Sequence, residues 1–141
     1  MLVEPYAYSL RIRLHDTDAA GVLFYGHLFR HAHDAYESFM EQLGFPLRDL
    51  IGAGDAGPKV RLPITRAKAR YERPLRLGDR VQVELRVAEV RRRSFAIAYR
   101  FLDEQGYTCA TAQTLHCLVS EDDAGLPAKM RDALTACIEV Q

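Results

Sequence analysis

Two carboxylates, Asp16 and Asp18, stand one residue apart in the run His15-Asp16-Thr17-Asp18-Ala19-Ala20-Gly21-Val22. A small-residue bend and the start of a helical pattern follow at once. Gly21 can take a positive φ there, or let a ligand come close to the backbone. The first N–H groups of a helix have no internal partner and carry partial positive charge, so they can polarise a carbonyl or hold an oxyanion. A carboxylate on the loop just before them can face the same bound group. That pairing suits acyl transfer or hydrolysis, with Asp as nucleophile or as base for water. A plainer reading stands beside it, in which Asp16 and Asp18 are turn and cap residues.

The flanking segments position this run. Residues 6–14 read YAYSLRIRL, with Tyr6, Tyr8, Leu10, Ile12 and Leu14 on one face of a strand. After the bend, Leu28, Ala32, Ala35, Tyr36, Phe39 and Leu43 recur every three to four residues, and Gly44 stands where a helix-ending glycine belongs. The pattern predicts a helix from Tyr25 or Gly26 to Leu43. Its opposite stripe holds His27, His31, Asp34, Ser38 and Glu41, read as a solvated face. His27 and His31 have the i, i+4 spacing of metal ligands, but with no cysteine ligand or second histidine cluster no metal is expected.

The motif and the helix after it, DTDAAGVLFYGHLFRHAHDAYESF, resemble the hotdog-fold acyl-CoA thioesterases of the 4-hydroxybenzoyl-CoA thioesterase branch, whose signature is D-x-D-x-x-G-[VI]. DTDAAGV followed by HDAYES is most similar to the 1,4-dihydroxy-2-naphthoyl-CoA thioesterases. The resemblance implies that Asp18 is the catalytic carboxylate and that the Tyr25 backbone N–H polarises the thioester carbonyl. It also implies a polar acyl contact at His33, which falls on the flank between the two helix stripes. Glu37 is a weaker candidate of the same kind. No cofactor is implied, coenzyme A being part of the substrate.

Downstream, residues 45–59 form a loop with one short turn near 47–51, and GAGDAGPK is read as a cover over the acyl end of a cleft. Strands are expected over 60–71, through Val81, Val83, Leu85 and Val87, through Phe95, Ile97, Tyr99 and Phe101, and over 107–119. Leu77-Gly78-Asp79 and Asp103-Glu104-Gln105-Gly106 punctuate them as turns. Small residues at Ala110, Ala112 and Thr114 suggest a face packed closely on a helix. A short helix with Pro127 near its first position closes the chain. This order is α+β, a five-stranded antiparallel sheet wrapped on one long helix, and it matches the single hotdog domain over 1–141 that the resemblance implies.

Arg91-Arg92-Arg93-Ser94 lies between two strands. It reads as a charged hairpin that blunts an edge, or as a clamp for the phosphates of coenzyme A, whose geometry guanidinium forks match. The related thioesterases have a basic stretch followed by Ser-Phe at the corresponding junction.

Charge excludes other classes. Lys plus Arg equals Asp plus Glu at 19 each, which gives no basic face for nucleic acid or an anionic membrane. Residues 1–9 have neither a basic start nor a long apolar run, and no later stretch approaches a membrane span. Cys109, Cys117 and Cys137 fit free thiols in a reducing cytoplasm. The expectation is therefore a cytoplasmic acyl-CoA thioesterase, a dimer doubled to a tetramer. The alternatives are a broader short-chain or hydroxybenzoyl-CoA hydrolase, or a non-hydrolytic acyl-CoA or acyl-carrier binding protein.

Overall fold

The alternation at the start of the chain folds as strand β1, Tyr6–Arg11, in a computed structural model that describes residues 4–51, 60–120 and 122–138. Ile12 continues the inward face, but Leu14 does not. It sits in a 3-10 turn, Leu14–Asp16, and is 74% exposed, because the chain leaves the sheet after Arg11. The loop of the motif follows. A second 3-10 turn at Tyr25–His27 then leads directly into helix α1, Leu28–Leu43. Gly44 ends the helix at φ 103°, with its N–H on the Glu41 and Met40 carbonyls and the Phe45 N–H also on Met40. This is the glycine-capped close that satisfies the last carbonyls.

A single-turn helix, α2, occupies Leu47–Leu50. Strands β2 (Ile64–Tyr71), β3 (Arg80–Val90), β4 (Ser94–Leu102) and β5 (Thr108–Cys117) follow, then helix α3, Ala128–Ala136. Pro127 is the residue before α3 rather than its first helical position. The predicted cover GAGDAGPK lies outside the described residues.

All neighbouring strands are antiparallel, in the order β1-β3-β4-β5-β2. This is the hotdog architecture, a five-stranded sheet around one long helix. Tight turns set the registers. Asp103 Oδ1 accepts the Gln105 and Tyr107 N–H groups across the β4–β5 hairpin. The Leu77-Gly78-Asp79 turn exchanges backbone bonds with Ile12. Val81, Val83, Leu85, Val87, Phe95, Ile97, Tyr99 and Phe101 meet Leu28, Ala32, Ala35, Tyr36 and Met40 of α1 in one buried core. Each fully buried Leu, Ile or Phe in it is worth roughly 1.5–3 kcal/mol of transfer free energy. Ala110, Ala112 and Thr114 are buried as well.

Two features depart from the sequence pattern. The polar stripe of α1 is not evenly solvated. His31 is buried under the motif loop, and Ser38 meets the Tyr6 hydroxyl of β1. Strand β2 is an edge, and nearly every residue of it is exposed whichever face it points to. Its alternation therefore marks no buried side. No helix among the described residues is long and apolar enough to cross a membrane.

Candidate active site

Asp18 is presented on a tight, doubly anchored turn. Its N–H donates to the Val22 carbonyl, and its own carbonyl accepts the Gly21 N–H. Asp18 Oδ1 accepts the N–H groups of Ala20 at 2.8 Å and Val22 at 3.4 Å, a side-chain turn typical of Asp. Among the described residues no donor reaches Oδ2, and the residue is exposed. Gly21 takes φ 75°, a conformation that a residue with Cβ adopts at a cost of roughly 1–2 kcal/mol. The turn is fastened from outside. Leu23 donates to Leu75 at 2.7 Å, and Leu77 donates to Gly21 at 3.1 Å. The carboxylate is thus held on rigid backbone while one of its oxygens faces outward.

Asp16 has the opposite setting. It is fully buried, its Oδ2 accepts the Arg13 N–H at 2.8 Å, and its Oδ1 meets the Arg30 guanidinium and lies 3.0 Å from His31 Nε2. Burial opposes its ionisation. The Arg13 N–H, His31 and Arg30 outweigh that opposition and hold its pKa below the usual carboxylate range. Burial lowers the His31 pKa in spite of Asp16, so a neutral imidazole faces the carboxylate. Nε2 misses hydrogen-bond alignment there. The two carboxylates of the motif divide accordingly: Asp16 is buried and ties the loop to α1, and Asp18 is exposed on the turn. Sequence reasoning assigned Asp16 to turn hydrogen bonds but missed its partners on the helix, because Arg30 and His31 reach it only after folding.

The helical run begins beside the turn. The Phe24 N–H donates to the Asp16 carbonyl, which brings Tyr25, the first residue of the 3-10 turn, against the motif. The Tyr25 N–H leads a turn whose geometry supplies it no internal acceptor. The Tyr25 carbonyl accepts the Tyr71 hydroxyl at 2.7 Å, which fastens the helix start to the end of β2.

Further along α1, Phe29, Arg30 and His33 face Ile64 and Ala67 of β2 across a cavity of about 340 Å³, floored by Tyr99 and Thr114. His33 stands at this cavity, exposed, its ring stacked 6.0 Å from Tyr36. A second hollow of about 280 Å³ adjoins the motif turn at Val22, Leu23, Tyr71 and Pro74. A larger one, about 780 Å³, lies at the other end of α1 among Tyr6, Phe39, Leu43 and Ile138, away from the motif.

Arg91 to Arg93 form the β3–β4 turn and Ser94 opens β4, away from the motif in sequence. Arg91 pairs with Glu89 at 2.7 Å. Arg92 reaches the Asp123 carbonyl, and Arg93 reaches those of Ala124 and Leu118. These two guanidinium groups therefore fasten the segment before α3, a task the sequence did not reveal. The cysteines are unpaired thiols. Among the described residues no three of His, Cys, Asp or Glu converge as metal ligands. His27 turns its ring to Phe24 and His31 turns to Asp16, so the i, i+4 pair does not point at one centre.

Known proteins share this sequence pattern and fold. The model of the thioesterase-like superfamily matches residues 12–138. A 1,4-dihydroxy-2-naphthoyl-CoA hydrolase of Synechococcus elongatus is 39% identical over 132 residues, covering 92% of this chain and 94% of that protein. Among solved structures, a 1,4-dihydroxy-2-naphthoyl-CoA thioesterase from Synechocystis superposes with a TM-score of 0.81 at 28% identity, over 92% of this chain and 95% of the other. A gentisyl-coenzyme A thioesterase superposes with a TM-score of 0.80 at 27% identity, over 92% and 99%. With a family match that spans the motif, the helix and strands β2 to β5, this chain belongs to the thioesterase-like superfamily of hotdog thioester hydrolases.

Proposed function

We propose that this protein hydrolyses aromatic acyl-CoA thioesters, with 1,4-dihydroxy-2-naphthoyl-CoA as the model substrate and Asp18 as the reacting carboxylate. The observation that carries the reading is the placement of Asp18. Its exposed carboxylate stands on a rigid turn just before the first N–H of a helical run. Val22 and Leu23 of the same loop line a hollow with Tyr71, and the cleft between α1 and β2 opens further along that helix. In the reaction the thioester carbonyl takes the Tyr25 N–H, which stabilises the developing oxyanion. Asp18 then either attacks the carbonyl carbon, expelling the CoA thiolate and leaving an anhydride that water cleaves, or takes a proton from the attacking water. Both routes consume one water and give free acid and CoA thiol. Gly21 lets the thioester approach the backbone, and His33 borders the acyl group. The Arg91-Arg92-Arg93-Ser94 turn meets the CoA phosphates, and no cofactor takes part.

The cleft borders an open edge of the sheet. Phe24, Tyr25, Ile64 and Tyr71 are each at least 41% exposed around it, an apolar rim that a second copy would cover. Strands β3, β4 and β5 lie inside the sheet, so β1 and β2 are the edges available for pairing. We propose a dimer as the minimal active unit, doubled to a tetramer, with each cleft closed by the neighbouring copy. Free-thiol release from a panel of aromatic and aliphatic acyl-CoAs tests the activity. Turnover is expected to be fastest with aromatic thioesters. Tight CoA binding without turnover of any thioester would replace this reading with a binding module.

A further inference from the structure

Beneath the cleft runs a buried chain of hydrogen bonds. Tyr99 Oη lies 2.8 Å from Thr114 Oγ1, which lies 2.8 Å from His116 Nε2. All three residues are buried. The His116 ring packs against Tyr36 of α1 at 4.3 Å and against Phe95 of β4 at 4.9 Å, and is parallel to Phe95 within 7°. Stability alone does not call for such a chain. Apolar side chains of the same shape would fill these positions with similar stability, because buried polar groups must first recover their desolvation cost.

The outer end of the chain supplies a reason. Tyr99 and Thr114 are also the floor of the 340 Å³ cavity, under the apolar walls of Phe29, Ile64 and Ala67. An apolar slot of this size with a few converging polar groups has the form of a small-molecule site. The chain can run in either direction. Burial, then the neighbouring His33, push the His116 pKa down to about 4, so its ring stays neutral and offers one N–H and one lone pair. When Nε2 accepts, Thr114 donates to it, Tyr99 donates to Thr114, and the Tyr99 oxygen is left to accept from a ligand. When Nε2 donates, Thr114 donates to Tyr99, whose own O–H turns to the ligand. A ligand hydroxyl is both donor and acceptor and satisfies either state. A hydrogen atom in its place satisfies neither.

We infer that Tyr99, seated by Thr114 and His116, is a specificity-determining residue that selects aromatic acyl groups carrying a ring hydroxyl. The inference rests on the aromatic acyl-CoA reading above and narrows it. His33 and Arg30 stand at the mouth of the slot, and Tyr99 reads the part of the ligand that reaches its floor.

Tyr99→Phe keeps the ring and removes only the hydroxyl. The test compares kcat/KM for 4-hydroxy-2-naphthoyl-CoA, whose hydroxyl stands away from the thioester, and 2-naphthoyl-CoA in the native enzyme and the variant. The native enzyme is expected to prefer the hydroxylated thioester by about tenfold or more, since a site built to bond a hydroxyl rejects the analogue lacking it. Tyr99→Phe is expected to erase that preference by slowing the hydroxylated substrate alone, and Thr114→Val to reduce it in part. Equal losses on both thioesters would mark a structural role and overturn the inference, as would an unchanged preference. If the native enzyme turns over neither naphthoyl thioester, the aromatic acyl-CoA reading falls, and equilibrium binding of 1-naphthol decides this one separately. Affinity about tenfold weaker in Tyr99→Phe upholds it, and equal affinity overturns it.

Discussion

His116 ties the stability of the fold to pH in a way that can be worked from its surroundings. The imidazole is enclosed by Tyr36 from α1, Phe95 from β4 and Thr114 of its own strand, and His33 acts on it electrostatically. Two effects compete when it gains a proton. Stacked rings attract an imidazolium by about 2 kcal/mol when the pair is desolvated. Removing the charge from water costs several kcal/mol. Burial wins, and the folded pKa falls to about 4 from an ordinary 6.5. The unfolded chain therefore binds this proton more readily. The stabilisation is fully present above the unfolded pKa and is lost as pH falls toward 4. Linkage with these two values gives a loss of about 2.5 kcal/mol between about pH 7.5 and 4.5. His116→Gln removes the titration while keeping a side chain that can bond Thr114, and it leaves Asp16 and His31 to titrate as before. Denaturant unfolding at fixed protein concentration, at both pH values, should show the native protein losing about 2.5 kcal/mol more than the variant. A difference below about 0.5 kcal/mol would refute the argument, since it would mean that water reaches the ring in the folded state.

Asp18→Asn retains an oxygen able to accept the Ala20 and Val22 N–H groups, so the turn should persist while kcat falls by roughly two orders of magnitude or more. Asp16→Asn should reverse the balance, lowering stability by about 2 kcal/mol in denaturant unfolding with a smaller effect on turnover, because it strips the charge from the Arg30 contact; reversed effects would exchange the two roles. Arg91→Ala leaves the Arg92 and Arg93 fastenings intact, and should raise KM for acyl-CoA about fivefold while sparing kcat and sparing an acyl-pantetheine substrate altogether. Sedimentation at assay concentration should find the active enzyme as a dimer or tetramer, and a fully active monomer would contradict the closure of the cleft by a second copy.

Much of this architecture is legible in the sequence because local chemistry and global fold agree in it. Gly44 ends α1 where the apolar spacing stops, and the Asp103 turn closes β4 on β5. The inward alternation of β3 and β4 becomes the core. What stayed hidden depends on groups far apart in the chain. Asp16 and Asp18 have the same chemistry in sequence, and only the approach of Arg30 and His31 from the helix separates a buried anchor from an exposed carboxylate. The Tyr99–Thr114–His116 chain joins two strands whose register places Ile97 opposite Thr114 and Phe95 opposite His116. A signal for it did exist: Thr114 and His116 continue the period-two series of Ala110 and Ala112, so two polar residues stand in phase with an inward face. Arg92 and Arg93 show the converse. A basic cluster suited to phosphate also has carbonyl partners in a loop about 30 residues away in sequence, and composition does not foresee them.

The cleft itself follows from the strand order. The connection after β1 carries α1 and then delivers β2 to the opposite edge of the sheet, beside β5 rather than beside β1. A straight helix packed on β1 and β3 cannot also cover the inner face at β2. Tyr36 reaches across to His116, but nearer the helix start the side chains of Phe29 and His33 leave a gap over Thr114 and Ala67. The Tyr71 hydroxyl fastens the end of β2 to the Tyr25 carbonyl at the start of the helical run, and the motif turn just before it is fastened to Leu75 and Leu77. An opening set by topology thus meets a carboxylate set by local turn chemistry. Moving either would take a different connection in the sheet or a different residue at Gly21.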